Sequence, residues 1–478
     1  MKKEAKHIHF IGIAGSAIAQ LAVMMKQKGW KVTGSEHNKV WEPMKSFLSD
    51  NDIKYTELNY NLEDVRNADL IILGGSALLK DPNHPEYIEA KKLGKRIEGY
   101  AYLVGKYISA DKSIVVTGSY GKSTTASILA WILIRAGSNP SYMIGGKVEG
   151  LSAGVKIGSG EVSVCEGDEY ASVWGYDMEP RFLSYKPTHA IITSAEWDHI
   201  DVYNTLDSYI AAYVKLAKMI NKKQGSLLVN AAGENLDSVL DDCEGEYSTY
   251  LLSGEKPVLS GKPTYLAKNL EFDSEKTQTR FVVDKNNNEY EQFASGLIGR
   301  HNVENCLAAI AMADSVGVAA DKIAEGIRTF PGLKRRLEII GSAKSGAVLI
   351  DDFAHSPVKA QATITALKDF YPDKKVIAVY FPRTSLNQNR ETLNWYPGAF
   401  DGADDVIIPR VDVQASTPRA DRVYGIDIVE SIAKSQPNVR YIPINENLIK
   451  YLKENSDENS IIVFMSSTGI DWAVQQLI

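Results

Sequence analysis

The chain has 478 residues, of which 44% are hydrophobic and 24% charged, a composition typical of globular proteins that excludes collagen-like and low-complexity chains. At about 150 residues per domain, this length predicts roughly three domains. The net charge is −7 and no half of the chain is strongly basic, so we expect no nucleic-acid partner.

Short apolar runs alternate with longer amphipathic stretches, a pattern typical of α/β domains. In chain order, strands are predicted over residues 7–13, 31–34, 70–74, 113–116, 162–165, 190–193, 226–229, 347–350, 376–380, 405–409 and 461–465. A helix is predicted over 16–28, and polar alternation over 277–283 predicts a small antiparallel excursion. Pattern breaks near 106–112 and at Pro331-Gly332 place the predicted domains at 1–107, 108–333 and 334–478.

We expect the chain to be cytoplasmic and not inserted into a membrane. The basic start and the small apolar run over 10–19 resemble a secretory signal, but His7, His9 and Gln20 interrupt that pattern. No segment reaches the roughly 18 continuous apolar residues of a membrane helix. Three widely spaced cysteines favour reduced thiols over a disulfide framework or a zinc site.

A phosphate-binding loop is the strongest single feature. The predicted strand 113–116 leads into Gly118-Ser119-Tyr120-Gly121-Lys122-Ser123-Thr124, and a helical stretch follows. Glycines let backbone N–H groups approach phosphate oxygens, and a helix N-terminus favours negative charge. Lys122 is placed to reach the β- and γ-phosphates, and Ser123 to bind Mg²⁺. Only two residues separate the glycines, where the standard pattern has four, so a plain glycine turn is the alternative.

Two acidic segments follow predicted strands. Glu166-Gly-Asp168-Glu169 follows the strand at 162–165, and carboxylates there suit Mg²⁺. Asp198-His199 follows the strand at 190–193, where the histidine could bind a second cation or position a phosphate. The alternatives are a solvated acidic turn and a structural histidine.

Three further segments contain candidate binding residues. His301, Asn302 and Asn305 open a helix and could hydrogen-bond a base edge, or Asn302 could cap that helix. Asp351, Asp352 and His355 follow a strand at the edge where open α/β sheets bind ligands. The loop Gly12-Ile-Ala14-Gly15-Ser16, with Glu36 about 20 residues on, is predicted to bind a pyrophosphate, but its glycine pattern is incomplete for NAD.

Taken together and in order, these motifs resemble those of the Mur ligase family, ATP-dependent enzymes that build the peptide of the cell-wall precursor on a UDP-sugar. The resemblance covers essentially the whole chain through the Gly12/Gly15 loop, 118–125, 166–170, 198–199, 299–305, 335–338, 351–357 and 465–469. It implies an α/β fold of three domains: a Rossmann-like UDP-binding domain, a central P-loop ATPase-like domain and a C-terminal Rossmann-like domain that binds the amino substrate.

The resemblance also implies the reaction. The lactyl carboxylate of UDP-N-acetylmuramate would attack the γ-phosphate of ATP, and a free amine would then displace phosphate from the acyl phosphate. Segments 40–44, 166–170, 180–187 and 381–384 look more like the branch that reattaches the recycled tripeptide L-alanyl-γ-D-glutamyl-meso-diaminopimelate. We therefore expect that amine, in peptidoglycan synthesis and recycling, with the L-alanine-adding branch as the alternative.

Four departures from the family pattern affect these expectations. Tyr120 stands where the family usually has His, and Ser123 stands for Thr but keeps the hydroxyl. Ser356 replaces a second His, and Ser467-Thr468 replace Asn-Gly. The last two changes fall where the amine is expected, so its identity stays open. Tyr213 aligns with the carbamylated lysine of some Mur ligases, and no such lysine is assigned.

The family motifs imply a role for each candidate residue. Lys122, Glu166, His199 and His355 are expected to be catalytic, and Ser123, Glu166 and His199 to hold two Mg²⁺ ions. The remaining expectations are ATP at Gly118, Ser119, Gly121, Lys122, Ser123, Thr124, His301, Asn302, Asn305, Arg336, Asp351 and Asp352, the UDP-sugar at Gly12, Ala14, Gly15, Ser16, Ser35, Glu36 and Ser76, and the amine at His355, Arg383 and Ser466.

Two remoter alternatives come from other functional classes. The Gly12 loop could serve an NAD-dependent dehydrogenase, although the Lys122 loop argues against it. The chain could also be a non-catalytic nucleotide-binding protein, although its acidic and histidine metal-binding candidates are present. We expect a monomer or weak dimer.

Overall fold

The computed structural model describes residues 6–79, 81–151, 153–197, 202–241, 243–383, 387, 390–411 and 422–478. They form two compact units. The first comprises Met1–Lys268, Val282–Phe293 and Glu304–Phe330, and the second Asn269–Phe281, Ala294–Val303 and Pro331–Ile478. The predicted three-way domain boundaries remain predictions.

The first unit begins with a parallel five-stranded sheet. Its elements are β1 (His7–Ile11), α1 (Ser16–Gln27), β2 (Lys31–Glu36), α2 (Met44–Asp50), β3 (Lys54–Glu57), α3 (Leu62–Asn67), β4 (Leu70–Leu73), α4 (Pro85–Lys92), β5 (Arg96–Gly99) and α5 (Tyr100–Tyr107). The strand order is β3-β2-β1-β4-β5, with Ile8 opposite Val32 on one side and Leu70 on the other. The order therefore reverses beside β1, where open parallel sheets bind ligands.

A ten-stranded sheet follows, most of it in the first unit, while residues 269–281 and 294–303 of its elements belong to the second unit. Its elements, with a small β10–β11 pair, are β6 (Lys112–Thr117), α6 (Lys122–Arg135), β7 (Ser141–Met143), β8 (Val155–Lys156), β9 (Val162–Glu166), β10 (Ala171–Val173), β11 (Asp177–Pro180), α7 (Arg181–Ser184), β12 (His189–Ile192), α8 (Leu206–Lys222), β13 (Leu227–Asn230), α9 (Leu236–Asp241), β14 (Ser248–Leu252), β15 (Tyr265–Asp273), β16 (Gln278–Lys285), β17 (Asn288–Ser295), α10 (Arg300–Ser315) and α11 (Ala320–Thr329). The order is β17-β16-β15-β14-β13-β12-β6-β9-β7-β8, and β6 runs parallel to both of its neighbours, β12 and β9.

The second unit contains a six-stranded sheet in the order β18-β19-β23-β20-β21-β22. Its elements are β18 (Glu338–Ser342), β19 (Val348–Asp352), α12 (Pro357–Phe370), β20 (Lys375–Phe381), a 3-10 helix (Arg390–Trp395), β21 (Asp405–Ile408), α13 (Gly425–Ile432), β22 (Val439–Tyr441), α14 (Asn445–Asn455), β23 (Ser460–Ser466) and α15 (Asp471–Leu477). Only β18 pairs antiparallel within this order. Both faces of the sheet are covered by apolar clusters, as a parallel sheet requires.

The predicted strands and the helix from residue 16 are confirmed, with end positions that differ by one or two residues. The first strand ends at Ile11 instead of residue 13 because Gly12 adopts φ +80°, which turns the chain. The predicted excursion corresponds to the longer strands β15, β16 and β17, which are neighbours in the sheet, and connections this short are possible only between antiparallel strands. In the described ranges, no helix is long and apolar enough to cross a membrane.

Candidate active site

The predicted phosphate loop lies at the carboxyl ends of three neighbouring parallel strands. It connects β6 to α6, and β9 and β12 flank β6. Gly118 and Gly121 both have positive φ, +124° and +76°, and a Cβ on Gly118 would lie 2.2 Å from Thr193 Oγ1. Glycine is therefore required at Gly118 by backbone conformation and by space.

Lys122 begins α6 and points back into the loop. Its Nζ donates to the Gly118 carbonyl at 2.6 Å and lies 3.1 Å from Glu169 Oε1. The Lys122 side chain is 17% exposed, and that of Glu169 is fully buried. The ammonium group is therefore partly held by a buried carboxylate while one side stays open to solvent.

Ser123 and Glu166 place two oxygen atoms beside the loop that could bind a cation. Ser123 Oγ donates to Glu166 Oε1 at 2.7 Å, and the Gly145 N–H donates to Oε2 at 2.6 Å. Two hard oxygens fit Mg²⁺, which keeps several waters and completes its shell with phosphate oxygens. Across the described ranges, no group of three or more His, Cys, Asp and Glu side chains forms a metal cluster by itself.

Predicted His199 lies outside the described residues, as do Asp198 and Asp201. Of the other two candidates in this segment, Ser119 lies in the loop and Thr124 lies in helix α6. Ser119 Oγ donates to the Glu196 carbonyl at 2.5 Å, so its hydroxyl ties the loop to the segment after β12. Thr124 is buried in the first turn of α6.

The three candidates at the start of α10 have different surroundings. Asn305 Oδ1 accepts from Thr125 Oγ1 at 3.2 Å and would lie 2.3 Å from a Cβ on Gly121, so this side chain packs against the phosphate loop. Asn302 is buried and donates to the Ile298 carbonyl at 2.8 Å. His301 is exposed in the first turn of the helix.

The two aspartates after β19 differ in their contacts. Asp352 accepts hydrogen bonds from the Leu337 and Ala354 N–H groups at 2.8 Å each, and from Thr363 Oγ1 at 3.0 Å. Asp351 Oδ2 lies 3.3 Å from Arg335 Nε. Burial raises the pKa of Asp351 to about 6, although Arg335 opposes the shift. Asp352 is thus structurally engaged, whereas Asp351 is a buried acid with an unusual proton affinity.

Two of the three predicted amine-binding residues converge on one threonine. The Arg383 guanidinium donates to Thr468 Oγ1, and Ser466 Oγ accepts from the Thr468 N–H at 3.1 Å. His355 lies in the loop after β19, with Nδ1 2.8 Å from the Phe353 carbonyl. Sequence patterns had not assigned Arg335, whose guanidinium donates to the carbonyls of residues 466–468 at the end of β23.

In the N-terminal sheet, the loop after β1 has the predicted turn. Gly12 N–H donates to the Ser35 carbonyl at 2.9 Å, and the Ala14 N–H donates to Glu36 Oε2 at 3.2 Å. Gly15 precedes α1, which begins at Ser16. The Ser35 hydroxyl instead points inward and donates to buried Glu86 at 2.5 Å, so its predicted contact with the UDP-sugar could come from the backbone only.

A cavity of about 590 Å³ within the first unit joins the Gly15 loop to the region after β9. Predicted Gly15, Ser16 and Ser76 line it together with Asp168 and Arg181. Its full lining is Gly15, Ser16, Ala17, Ile18, Gly75, Ser76, Leu79, Tyr100, Asp168, Tyr170, Ala171, Trp174 and Arg181. The cavity therefore brings together residues of the loops that follow β1, β4 and β9.

Arg181 is a positively charged residue in the lining of this cavity, and sequence patterns assign it no role. It pairs with Asp168 at 2.5 Å and lies 5.3 Å and 5.5 Å from the ring centres of Tyr100 and Tyr170. Burial favours the neutral form, but the charges of Tyr100 and Asp168 hold its pKa above the ordinary value. Only the fold brings this arginine to the Gly15 loop, so spacing offered no signal.

Three family profiles match the chain in the order of these sheets. They are "Mur ligase family, catalytic domain" over residues 7–112, "Mur ligase middle domain" over 116–313, and "Mur ligase, glutamate ligase domain" over 335–468. A UDP-N-acetylmuramate–L-alanine ligase from Caldanaerobacter subterraneus is 30% identical, with 97% of this chain and 95% of that protein covered.

Solved structures share the fold. A UDP-N-acetylmuramate–alanine ligase from Thermotoga maritima superposes with a TM-score of 0.74 at 23% identity, covering 98% of both chains. The UDP-N-acetylmuramate:L-alanyl-γ-D-glutamyl-meso-diaminopimelate ligase from Neisseria has a TM-score of 0.60 at 26% identity, covering 69% of this chain and all of that one.

The fold and the loop thus define an ATP-dependent ligase that forms a C–N bond and releases ADP. The chain belongs to the Mur ligase family, and the predicted α/β architecture of three domains is confirmed. Mur ligases act in peptidoglycan biosynthesis and use ATP and Mg²⁺.

Proposed function

We propose that this chain joins the lactyl carboxylate of UDP-N-acetylmuramate to the amine of L-alanine, through an acyl phosphate. The observation that supports this amine is the 30% identity, over 97% of the chain, to a UDP-N-acetylmuramate–L-alanine ligase. The tripeptide that segment similarity favoured becomes the second candidate. Its support is those segments and the likeness to the Neisseria tripeptide ligase.

The phosphate end of the reaction is assigned to the loop after β6. Lys122 would bind the β- and γ-phosphate oxygens, and Ser123 with Glu166 would hold one Mg²⁺. Such an ion neutralises charge between a carboxylate and a triphosphate when it is bound. Because phosphoryl transfer depends mainly on positioning and charge neutralisation, removing the ammonium should remove most of the rate. A second Mg²⁺, at His199, remains part of the proposal.

The sugar nucleotide is assigned to the 590 Å³ cavity. One end of this cavity is formed by the Gly15 loop at the start of α1, where backbone N–H groups favour binding of a pyrophosphate. Arg181 supplies a cation for phosphate or carboxylate oxygens, and aromatic side chains such as Tyr100 and Trp174 supply apolar surface.

The amine is assigned to the ends of β19, β20 and β23. Arg383 would pair with the carboxylate of the amino substrate, with Ser466 at the end of β23 and His355 in the loop after β19, the strand beside β23. Because Arg383 bonds Thr468 in this structure, the substrate must compete with or join that contact.

The decisive experiment measures ATP-dependent phosphate release with UDP-N-acetylmuramate and either L-alanine or the tripeptide. We expect L-alanine to support turnover, whereas turnover with the tripeptide alone would replace the first candidate by the second. Lys122→Ala should abolish phosphate release while leaving the protein folded, although losing the pair with buried Glu169 should lower the melting temperature. The matched control is Lys222→Ala, at the exposed end of α8, which should keep normal turnover. Normal turnover of Lys122→Ala would refute the role of the loop.

A further inference from the structure

A buried polar network lies behind the phosphate loop and centres on Glu169. Its Oε1 lies 3.1 Å from Lys122 Nζ, 3.0 Å from the Tyr213 hydroxyl, and 3.3 Å from both Thr117 Oγ1 and the Gly118 N–H. Neither the Glu169 nor the Tyr213 side chain is exposed to solvent. One carboxylate oxygen therefore contacts the last residue of β6, the first glycine of the loop and its lysine.

The network continues into helix α8. The Tyr213 hydroxyl lies 2.9 Å from that of Tyr209, which in turn is 3.3 Å from Ser119 Oγ. The two tyrosine rings pack edge to face, with centres 5.2 Å apart. The Tyr203 hydroxyl donates to the Glu169 backbone carbonyl at 2.6 Å. Helix α8 and the chain before it thus fix both the side chain and the backbone of Glu169.

The direction of these hydrogen bonds follows from counting protons. A carboxylate only accepts, and a phenol has one proton to donate. Tyr213 therefore gives its proton to Glu169 and can only accept from Tyr209. Burial, with the nearby Glu169 charge, raises the pKa of Tyr213 well above its ordinary value, so the phenol keeps this proton.

We propose that Glu169, anchored by Tyr213, is a positioning residue that orients the ammonium group of Lys122 toward the γ-phosphate throughout turnover. An ammonium has three N–H donors. In this structure one points to the Gly118 carbonyl and one to Glu169, which leaves the third for a phosphate oxygen. Without the carboxylate, the flexible lysine stem would be held at one point only.

Because Glu169 is negatively charged, its loss should affect kcat and ATP affinity differently. A carboxylate this close to the loop repels a triphosphate, so its removal should not weaken ATP binding. Its benefit would be realised in the transition state, through the orientation of Lys122. A merely structural role would instead lower ATP affinity, rate and melting temperature together.

The proposal rests on the proposed function of the loop, and it is tested with Glu169→Gln and Tyr213→Phe in the full-length protein. Using whichever amine supports turnover, we expect kcat to fall roughly tenfold to hundredfold in Glu169→Gln, the effect of losing a charged hydrogen bond. The dissociation constant of the Mg²⁺ complex of a non-hydrolysable ATP analogue should stay within about threefold or tighten. Tyr213→Phe should lower kcat less, about threefold to tenfold, and should likewise leave the affinity for the nucleotide analogue nearly unchanged.

The control is Tyr142→Phe, which removes a hydroxyl from another buried tyrosine of the same unit, on β7. It should leave kcat and nucleotide affinity unchanged. A kcat for Glu169→Gln within threefold of wild type would overturn the proposal. A parallel loss of affinity, kcat and melting temperature would also overturn it, in favour of a structural role.

A crystal structure of the wild type with the same nucleotide analogue tests the positioning role of Glu169 independently of the proposed function. Lys122 Nζ should contact a phosphate oxygen and remain within about 3.5 Å of Glu169. A lysine that binds phosphate but has left Glu169 would overturn the positioning role alone. Nucleotide binding without turnover on either amine would overturn the proposed function alone, because this readout needs no amine.

Discussion

Asp351→Asn is expected to stabilise the protein near neutral pH more than in acid. Asp351 lies at the end of β19, where its side chain is 9% exposed. Burial raises its pKa from 3.8 to about 6, and the charges of Glu338 and Asp352 add to this shift while Arg335 opposes it. The folded state therefore resists ionisation of this carboxyl group, and an uncharged amide avoids that cost.

The sign and size follow from proton linkage. A carboxyl with a raised folded-state pKa costs nothing well below pH 3.8, and its cost grows until the pH passes about 6. At about 1.4 kcal/mol per pKa unit, the cost is about 1–2 kcal/mol at pH 5 and about 3 kcal/mol at pH 7.5. The amide also changes the contact with Arg335, but the part of that effect which does not depend on pH cancels between the two conditions.

The assay is thermal unfolding of the full-length protein and the Asp351→Asn variant at pH 5 and pH 7.5. The gain in melting temperature should be larger at pH 7.5 by roughly 3–6 °C, at about 2–4 °C per kcal/mol. Asp373→Asn, which alters an exposed carboxylate in the same unit, should give equal differences at both pH values. A pH-independent difference for Asp351→Asn, or a larger gain at pH 5, would refute the reasoning.

Three other substitutions test other parts of the protein. Gly118→Ala, with φ +124° and a Cβ 2.2 Å from Thr193 Oγ1, should lower ATP affinity at least about tenfold in calorimetric titration, and unchanged affinity would contradict the loop geometry. Arg181→Met should weaken binding of UDP-N-acetylmuramate roughly tenfold to hundredfold while ATP affinity stays near wild type. Burial alone would raise the pKa of Glu86, but hydrogen bonds from His9, the Asn61 N–H and the Ser35 hydroxyl hold it below the ordinary value. This group therefore stabilises the fold at neutral pH and less as the pH falls through the lowered pKa. Glu86→Gln should lower the free energy of unfolding in urea by about 1–3 kcal/mol at pH 7 and by less at pH 4. An equal loss at both pH values would contradict a stabilising role for the Glu86 charge.

The phosphate loop was predictable because its determinants are contiguous. An apolar strand, two glycines, a lysine and a helical stretch occupy residues 113–135, and the structure has β6, the turn and α6 there. The pairing of Ser123 with Glu166 was also within reach, because carboxyl ends of adjacent parallel strands meet at one edge. That edge is formed because β9 pairs directly with β6.

The orientation of individual side chains was not predictable. Ser35 fits a ligand-binding position by its place near the end of β2, yet its hydroxyl turns inward to Glu86, 51 residues away. Asn305 is predicted to face the base of ATP, and its contact with Thr125 beside the phosphate loop could not be read from the sequence. Both outcomes depend on neighbours that are distant along the chain, which periodicity and spacing do not record.

The amino-acid sequence by itself therefore determined the local units: the strands, the two glycine loops, the helix starts and the motif order that places the chain among Mur ligases. The tertiary structure alone decided which charges meet. It brought Lys122 to Glu169, which follows a different strand, and Arg181 to the cavity beside the Gly15 loop. The physical reason is that backbone conformation responds to nearby residues, whereas electrostatic partners are chosen by strand order and helix packing across the whole sheet.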